Sequence, residues 1–345
     1  MPKSLPAALL FAAATLVPAG PAFAFDGVVA SIKPIHSLVA GVMRGVGEPE
    51  LIVKGAASPH TYALRPSDAA ALERAKLVFW VGPDMEAFLG KALDSLAGQA
   101  RVIGLAEADG LKLLPPREGG TFEAHSHDAD GQGEAEHAEA SHDDDGHDGH
   151  DDAGHEHGAH DHDGDDHGHE HGAFDMHLWL DLENAKAMVS VIETALSQAD
   201  PANLATYRAN AEAMTASIDT LSRDVEAQLA PVRGRGFIVF HDAYQYFEHR
   251  FGVPAAGSIT VSPEVMPGAE RIAAIRTRVE ELGATCVFAE PQFEPRLVDV
   301  IVEGTQAKAG VLDPEGGSLT EGPELYFDLV RNLASSLRDC LAPAG

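Results

Sequence analysis

Residues 200–231 read DPANLATYRANAEAMTASIDTLSRDVEAQLAP. Asp200-Pro201 is a helix-opening pair, with Asp as N-cap and Pro at the first helical position, where its missing N–H is not needed. Leu204, Tyr207, Ala211, Met214, Ile218, Leu221, Val225 and Leu229 then recur every three or four residues. The pattern draws one apolar face along a helix of about thirty residues, roughly 40 Å at 1.5 Å per residue. Pro231 and Gly234 end it. Such a stripe could line a coiled-coil dimer, but packing along the chain's own domains is the expected use. A helix this long can join two domains as a stiff strut.

On either side of it, short apolar runs alternate with helical segments. Strands are expected at 28–32, 51–53, 77–81, 102–105 and 177–180. A helix follows Pro34 to about Gly45, and Ser67 is expected to cap another before the third strand. Beyond the long helix, strands are expected at 237–240, 286–289 and 310–312. A helix over 271–282 stops at Gly283, and an amphipathic helix closes the chain within 323–341. Strands separated by helices indicate parallel sheets. The expected fold is therefore α/β: two parallel-sheet lobes, 25–199 and 231–345, joined by the rigid helix 200–230.

The first 24 residues read as an export signal. Lys3 supplies the positive charge, 5–17 the apolar stretch, and Ala22-Phe23-Ala24 the small-x-small cleavage pattern. No later stretch reaches transmembrane length, so no membrane insertion is expected once the signal is removed. Export also permits a bridge between the two cysteines, Cys286 and Cys340. Closing that span would stabilise by roughly 4 kcal/mol in the chain-entropy model. Two buried free thiols are the alternative. Neither cysteine has the Cys-x-x-Cys spacing of a zinc ligand.

Between 123 and 172 the chain abandons folded-protein composition. Thirteen of the eighteen histidines lie there, with eighteen Asp and Glu and no Lys or Arg. The segment is too polar to bury a core, so a disordered loop inside the first lobe is expected. Imidazole and carboxylate both donate lone pairs to divalent metals. His155, His157, His160, His162, His167, His169 and His171, close together between small residues, are expected as auxiliary, weak metal ligands. The segment accounts for −18 of the net charge of −30. The remaining −12 is an ordinary acidic balance that argues against nucleic acid as a partner.

Five histidines stand outside that segment: His36, His60, His177, His241 and His249. His60 lies in a polar turn just beyond the strand ending at Val53, and His241 directly follows the strand 237–240. Asp313 follows Val311-Leu312, and His177 opens the run His177-Leu178-Trp179-Leu180. Ligands of open α/β sheets bind outside the carboxyl ends of strands. Three imidazoles and a carboxylate suit Zn²⁺ better than Mn²⁺, although Co²⁺, Ni²⁺ or Cu²⁺ could use the same donors. Glu290 and Asp242 are candidates to orient a ligating histidine, or ordinary salt-bridge partners. His36 is expected to pack or hydrogen-bond, and His249 to sit on a helix surface.

Several motifs carry a resemblance. Ala57-Ser58-Pro59-His60-Thr61-Tyr62, Asp175-Met176-His177-Leu178-Trp179-Leu180 and Phe240-His241-Asp242-Ala243-Tyr244 appear in order, followed by Phe288-Ala289-Glu290-Pro291 and Leu312-Asp313-Pro314. Together they resemble the zinc ABC-transporter solute-binding proteins, the ZnuA-like branch, over essentially the whole mature chain. The resemblance implies two lobes bridged by a rigid helix, with zinc in the cleft between them. It implies His60, His177 and His241 as principal ligands, with Asp313 or water as the fourth. Some zinc members place a Glu before the first histidine, where this chain has Pro59. The two cysteines fall where zinc members often carry a disulfide.

The function implied is that of a monomeric periplasmic receptor that captures Zn²⁺ and delivers it to the inner-membrane ABC permease of a zinc importer. The 123–172 loop would collect zinc for the cleft; as a flexible coil it spans about 40 Å root-mean-square. The reading from another class is a secreted zinc hydrolase, since three histidines and water also form a catalytic shell. Against it, no His-Glu-x-x-His or Gly-x-Ser-x-Gly is present, and only Glu290 could serve as a base.

Overall fold

The computed structural model describes residues 24–117, 122, 174–260, 267–283, 286–293 and 296–342. The export signal, apart from residue 24, and the 123–172 loop with its seven candidate auxiliary ligands lie outside the described residues.

The first lobe contains β1 (Val28–Ala30), α1 (Lys33–Val42), β2 (Glu50–Leu51), α2 (Pro66–Arg74), β3 (Leu77–Trp80), α3 (Ala87–Leu96), β4 (Arg101–Gly104) and α4 (Leu182–Ala199). Then come the long helix α5 (Leu204–Leu229) and the second lobe: β5 (Phe237–His241), α6 (Gln245–Phe251), β6 (Ala255–Thr260), α7 (Ala269–Leu282), β7 (Cys286–Ala289), α8 (Arg296–Val302), β8 (Lys308–Val311) and α9 (Leu325–Leu341). The sheets run β2-β1-β3-β4 and β6-β5-β7-β8, and every pair in both is parallel. The lobes thus repeat one topology. In each, the strand order reverses beside the first strand, which opens a crevice at the carboxyl ends.

The apolar stripe of α5 is used as its spacing predicts. Tyr207, Ala211, Met214, Ile218, Leu221, Val225 and Leu229 are all buried, against α4, α1 and α9. Polar ties fix its angle: Asn210 Nδ2 donates to the Val42 and Arg44 carbonyls, and Gln228 to the Ser335 hydroxyl. Single 3₁₀ turns extend the helix at both ends, Pro201–Asn203 and Ala230–Val232. Asp200 does not cap with its side chain. Its carboxylate accepts instead from Asn203 Nδ2 and the Tyr207 hydroxyl, 2.7 and 2.8 Å away.

Two other expectations are corrected. Ser67 is not the cap of α2; Arg65 holds that position with Pro66 at the first turn, and Asp68 accepts the Arg65 N–H at 2.9 Å. Residues 177–180 are not a strand. Leu178–Leu180 forms a 3₁₀ turn whose three side chains are all fully buried. A short, uniformly apolar run carries no period that separates strand from turn. One strand, β6, was not expected; it is an edge strand whose first four residues are Ala, Ala, Gly and Ser, with little β-propensity.

Burial is arranged asymmetrically. One continuous core holds both faces of the first sheet, α5, α9 and the inner face of the second sheet, including Phe237, Val239 and Phe288. The outer face of the second sheet has its own small core of Ile238, Phe240, Ile259, Ile275, Val279, Val287, Val298 and Ile301. Cys286 of β7 is bonded to Cys340 of α9, closing the 54-residue span. No helix among the described residues is long and apolar enough to cross a membrane.

Candidate metal centre

Three loops at the carboxyl ends of the sheets meet between the lobes. His241 is the last residue of β5, His177 precedes the buried Leu178–Trp179–Leu180 turn, and His60 lies in the turn after the first crossover. One ring nitrogen from each of His60, His177 and His241 lies within 4.8 Å of the other two. His177 and His241 are buried, whereas His60 is half-buried on the solvent side.

The protonation pattern leaves donors facing inward. His241 Nδ1 is 2.8 Å from Glu290 Oε1, and His177 Nδ1 is 2.8 Å from Asp175 Oδ1. A carboxylate on Nδ1 fixes the proton there and leaves the Nε2 lone pair for a metal. The two Nε2 atoms are 3.3 Å apart. Two nitrogens bound tetrahedrally at about 2.0–2.1 Å from one zinc stand about 3.3–3.4 Å from each other. Two neutral imidazoles held with lone pairs at that separation gain most by sharing a cation. Burial pulls the His241 pKa down, but Glu290 outweighs it and the net shift is upward.

The carboxylates take separate places. Asp313 is not among the donors that converge. Its Oδ1 accepts from Gln292 Nε2, beyond β7, at 3.1 Å and from the Glu315 N–H of its own loop at 3.2 Å. Asp242 pairs with Arg117, which also takes Glu248 at 2.7 Å. Its place beside His241 in sequence therefore does not make it the orienting group; Glu290, across the β5–β7 crevice, occupies that position. Asp175 was missed. The signal was present, since Asp175-Met176-His177 places a carboxylate two residues before a candidate ligand.

The remaining histidines stand apart. His36 is buried with Nε2 3.0 Å from the Pro49 carbonyl, and burial lowers its pKa. His249 is exposed on α6, its Nδ1 3.0 Å from Lys112 Nζ. Around the centre, Trp179 packs against His177, and Phe293 stacks on Phe240 with its edge towards His241.

Comparison with known proteins agrees with this geometry. The family model described as ZnuA, zinc-uptake complex component A, periplasmic, matches residues 28–340. The high-affinity zinc uptake system protein ZnuA of Brucella abortus is 57% identical over 316 residues, 92% of each chain. That of Yersinia pestis is 37% identical over 314 residues, 91% of each. Among solved structures, a crystal structure of ZnuA aligns over 92% of this chain and 100% of its own, with a TM-score of 0.68 at 20% identity. The periplasmic zinc-binding protein TroA of Treponema pallidum aligns with a TM-score of 0.67 at 17% identity, covering 91% of this chain and 98% of its own. With nearly the whole chain matched and the two lobes meeting at three imidazoles, the protein belongs to the ZnuA family of zinc-uptake components.

Proposed function

We propose that this chain is a periplasmic zinc receptor, exported by its 1–24 signal, that binds Zn²⁺ at His60, His177 and His241. It hands the ion to the inner-membrane ABC permease of a zinc importer and works as a monomer. The observation that carries the reading is the convergence of three ring nitrogens, two of them backed by carboxylates, from both lobes. Zinc is cargo here, so the shell must bind tightly and still release. With Asp313 engaged by Gln292 and the Glu315 N–H, water is favoured over Asp313 as the fourth donor. The hydrolase reading loses its base, because Glu290 is committed to His241 Nδ1, and the family is one of transport components.

The loop 123–172 fits the role of auxiliary collector, feeding the tight site through several weak ones. A solved relative, an internal-deletion mutant of ZnuA, is described with zinc bound. Deleting 123–172 here is expected to leave one tight zinc per chain and remove several weaker ones, counted by titration with metal analysis. Loss of the tight site in that variant would refute the division of labour.

The shell also predicts a pH dependence. A ligating imidazole must be neutral, so protons compete with zinc below its pKa. The upward shift of His241 makes that competition begin at higher pH than for a free histidine. Zinc affinity of the loop-deleted chain is expected to fall steadily between about pH 7 and pH 5. A flat profile would exclude an imidazole shell.

A further inference from the structure

Lys33 breaks a local rule. It is the first residue of α1, at the positive end of the helix dipole, and is only 5% exposed. A cation placed there is disfavoured by the helix, and burial lowers its pKa. A feature that offends local preference is retained for what it does at longer range.

Its partners lie in the other lobe. Lys33 Nζ donates to the carbonyls of Gly317, Leu319 and Gly316, at 2.8, 3.0 and 3.2 Å. These three bonds use all three ammonium protons. The loop they cage, 313–319, follows β8 and carries Asp313. Two further contacts pin it to the first lobe. Trp179 Nε1 donates to the Pro314 carbonyl at 2.9 Å, and Trp179 stands two residues from His177 and packs against its ring. Gly317 lies against Ala56, in the turn that ends at His60, so closely that a Cβ on Gly317 would sit 3.0 Å from Ala56 Cα. On its own side the loop is tied through Asp313 to Gln292, two residues from the Glu290 that orients His241. This one loop therefore touches the segments that carry His60 and His177, and reaches His241 through Gln292 and its near neighbour Glu290.

We infer that Lys33 is a positioning residue for the metal centre: by caging the 313–319 loop across the cleft, it sets the spacing between the first lobe's His60 and His177 and the second lobe's His241. The inference rests on zinc being the cargo of that site. Without the ammonium, three carbonyls lose their donor and the loop relaxes from the first lobe. Rings that must hold nitrogens about 3.3–3.4 Å apart around one ion tolerate little relaxation. Removing a supporting partner of a metal site typically weakens binding about 10–100-fold.

The test is zinc release from the full chain. Wild type, Lys33→Met and Gly317→Ala are loaded with zinc and mixed with excess chelator. Weak sites empty in a fast phase and the cleft in a slow one. The slow phase is expected to accelerate about ten-fold or more in both variants. The absorption bands of the chain loaded with one equivalent of Co²⁺ are expected to shift in Lys33→Met, because the shell itself is displaced. A role confined to stability would leave those bands in place. An unchanged slow phase with unchanged Co²⁺ bands in folded Lys33→Met overturns the inference. If that variant does not fold, an unchanged slow phase in Gly317→Ala overturns it. A wild type without any slow phase would instead remove the zinc-receptor reading, before any variant is compared.

Discussion

His241→Ala is expected to abolish tight zinc binding while leaving the weak sites of the 123–172 loop in place. Among the three histidines it is the one from the second lobe, buried at the end of β5 and backed by Glu290. Its removal leaves two nitrogens from the first lobe, too few for a closed shell. The expected loss is larger than the roughly 10–100-fold that follows removal of a supporting group. The variant also leaves Glu290 without its imidazole partner, so a control is needed. Glu290→Gln keeps the ring and a polar neighbour, and should weaken binding within that smaller range. Chelator competition on both variants, with metal counted per chain, measures the difference. Equal losses would mean that the carboxylate, not the ring, holds the ion.

The second large effect concerns stability. Arg117 lies on the strap that leads towards the 123–172 loop and pairs with Asp242 and Glu248 at once. Both carboxylates are almost wholly buried, with side chains 7% and 5% exposed. Burial works against the guanidinium's charge, but Glu248 and Asp242 raise its pKa on balance. Arg117→Met would leave two buried carboxylates facing each other without a cation. Breaking a buried pair in this way typically costs about 3–5 kcal/mol. A denaturant melt of the zinc-free protein should show a loss of that size. The double change Arg117→Met with Glu248→Gln should recover part of it, because one uncompensated charge is removed. A single variant as stable as wild type would mean that water reaches the carboxylates.

Much of this was legible in the sequence because it is local. The α5 stripe is a period, the strand ends are composition, His60 and His241 stand where turns follow apolar runs, and His177 opens one. What was not legible depends on partners distant along the chain. Asp313 and Asp242 carry suggestive chemistry, but that Asp313 bonds Gln292 and Asp242 pairs with Arg117 could not be read from their neighbours in sequence. Lys33 reads as an unremarkable helix-opening lysine until residues 316–319 are seen folded over it. The strand β6 was hidden because its first four residues are small, so its hydrogen bonds to β5 rather than its composition mark it as a strand.

The separate small core on the outer face of the second sheet gives the molecule a weak seam. Layers that share few apolar contacts with the main body open without unfolding it. Helices α7 and α8 should therefore exchange their amide hydrogens for deuterium well before α5 and α9 do. Phe240 belongs to that outer layer, while its neighbour His241 faces His60 and His177 and Phe293 touches both rings. A breathing motion on the far side of the sheet thus reaches the ion through one residue, and bound zinc should slow deuterium uptake there.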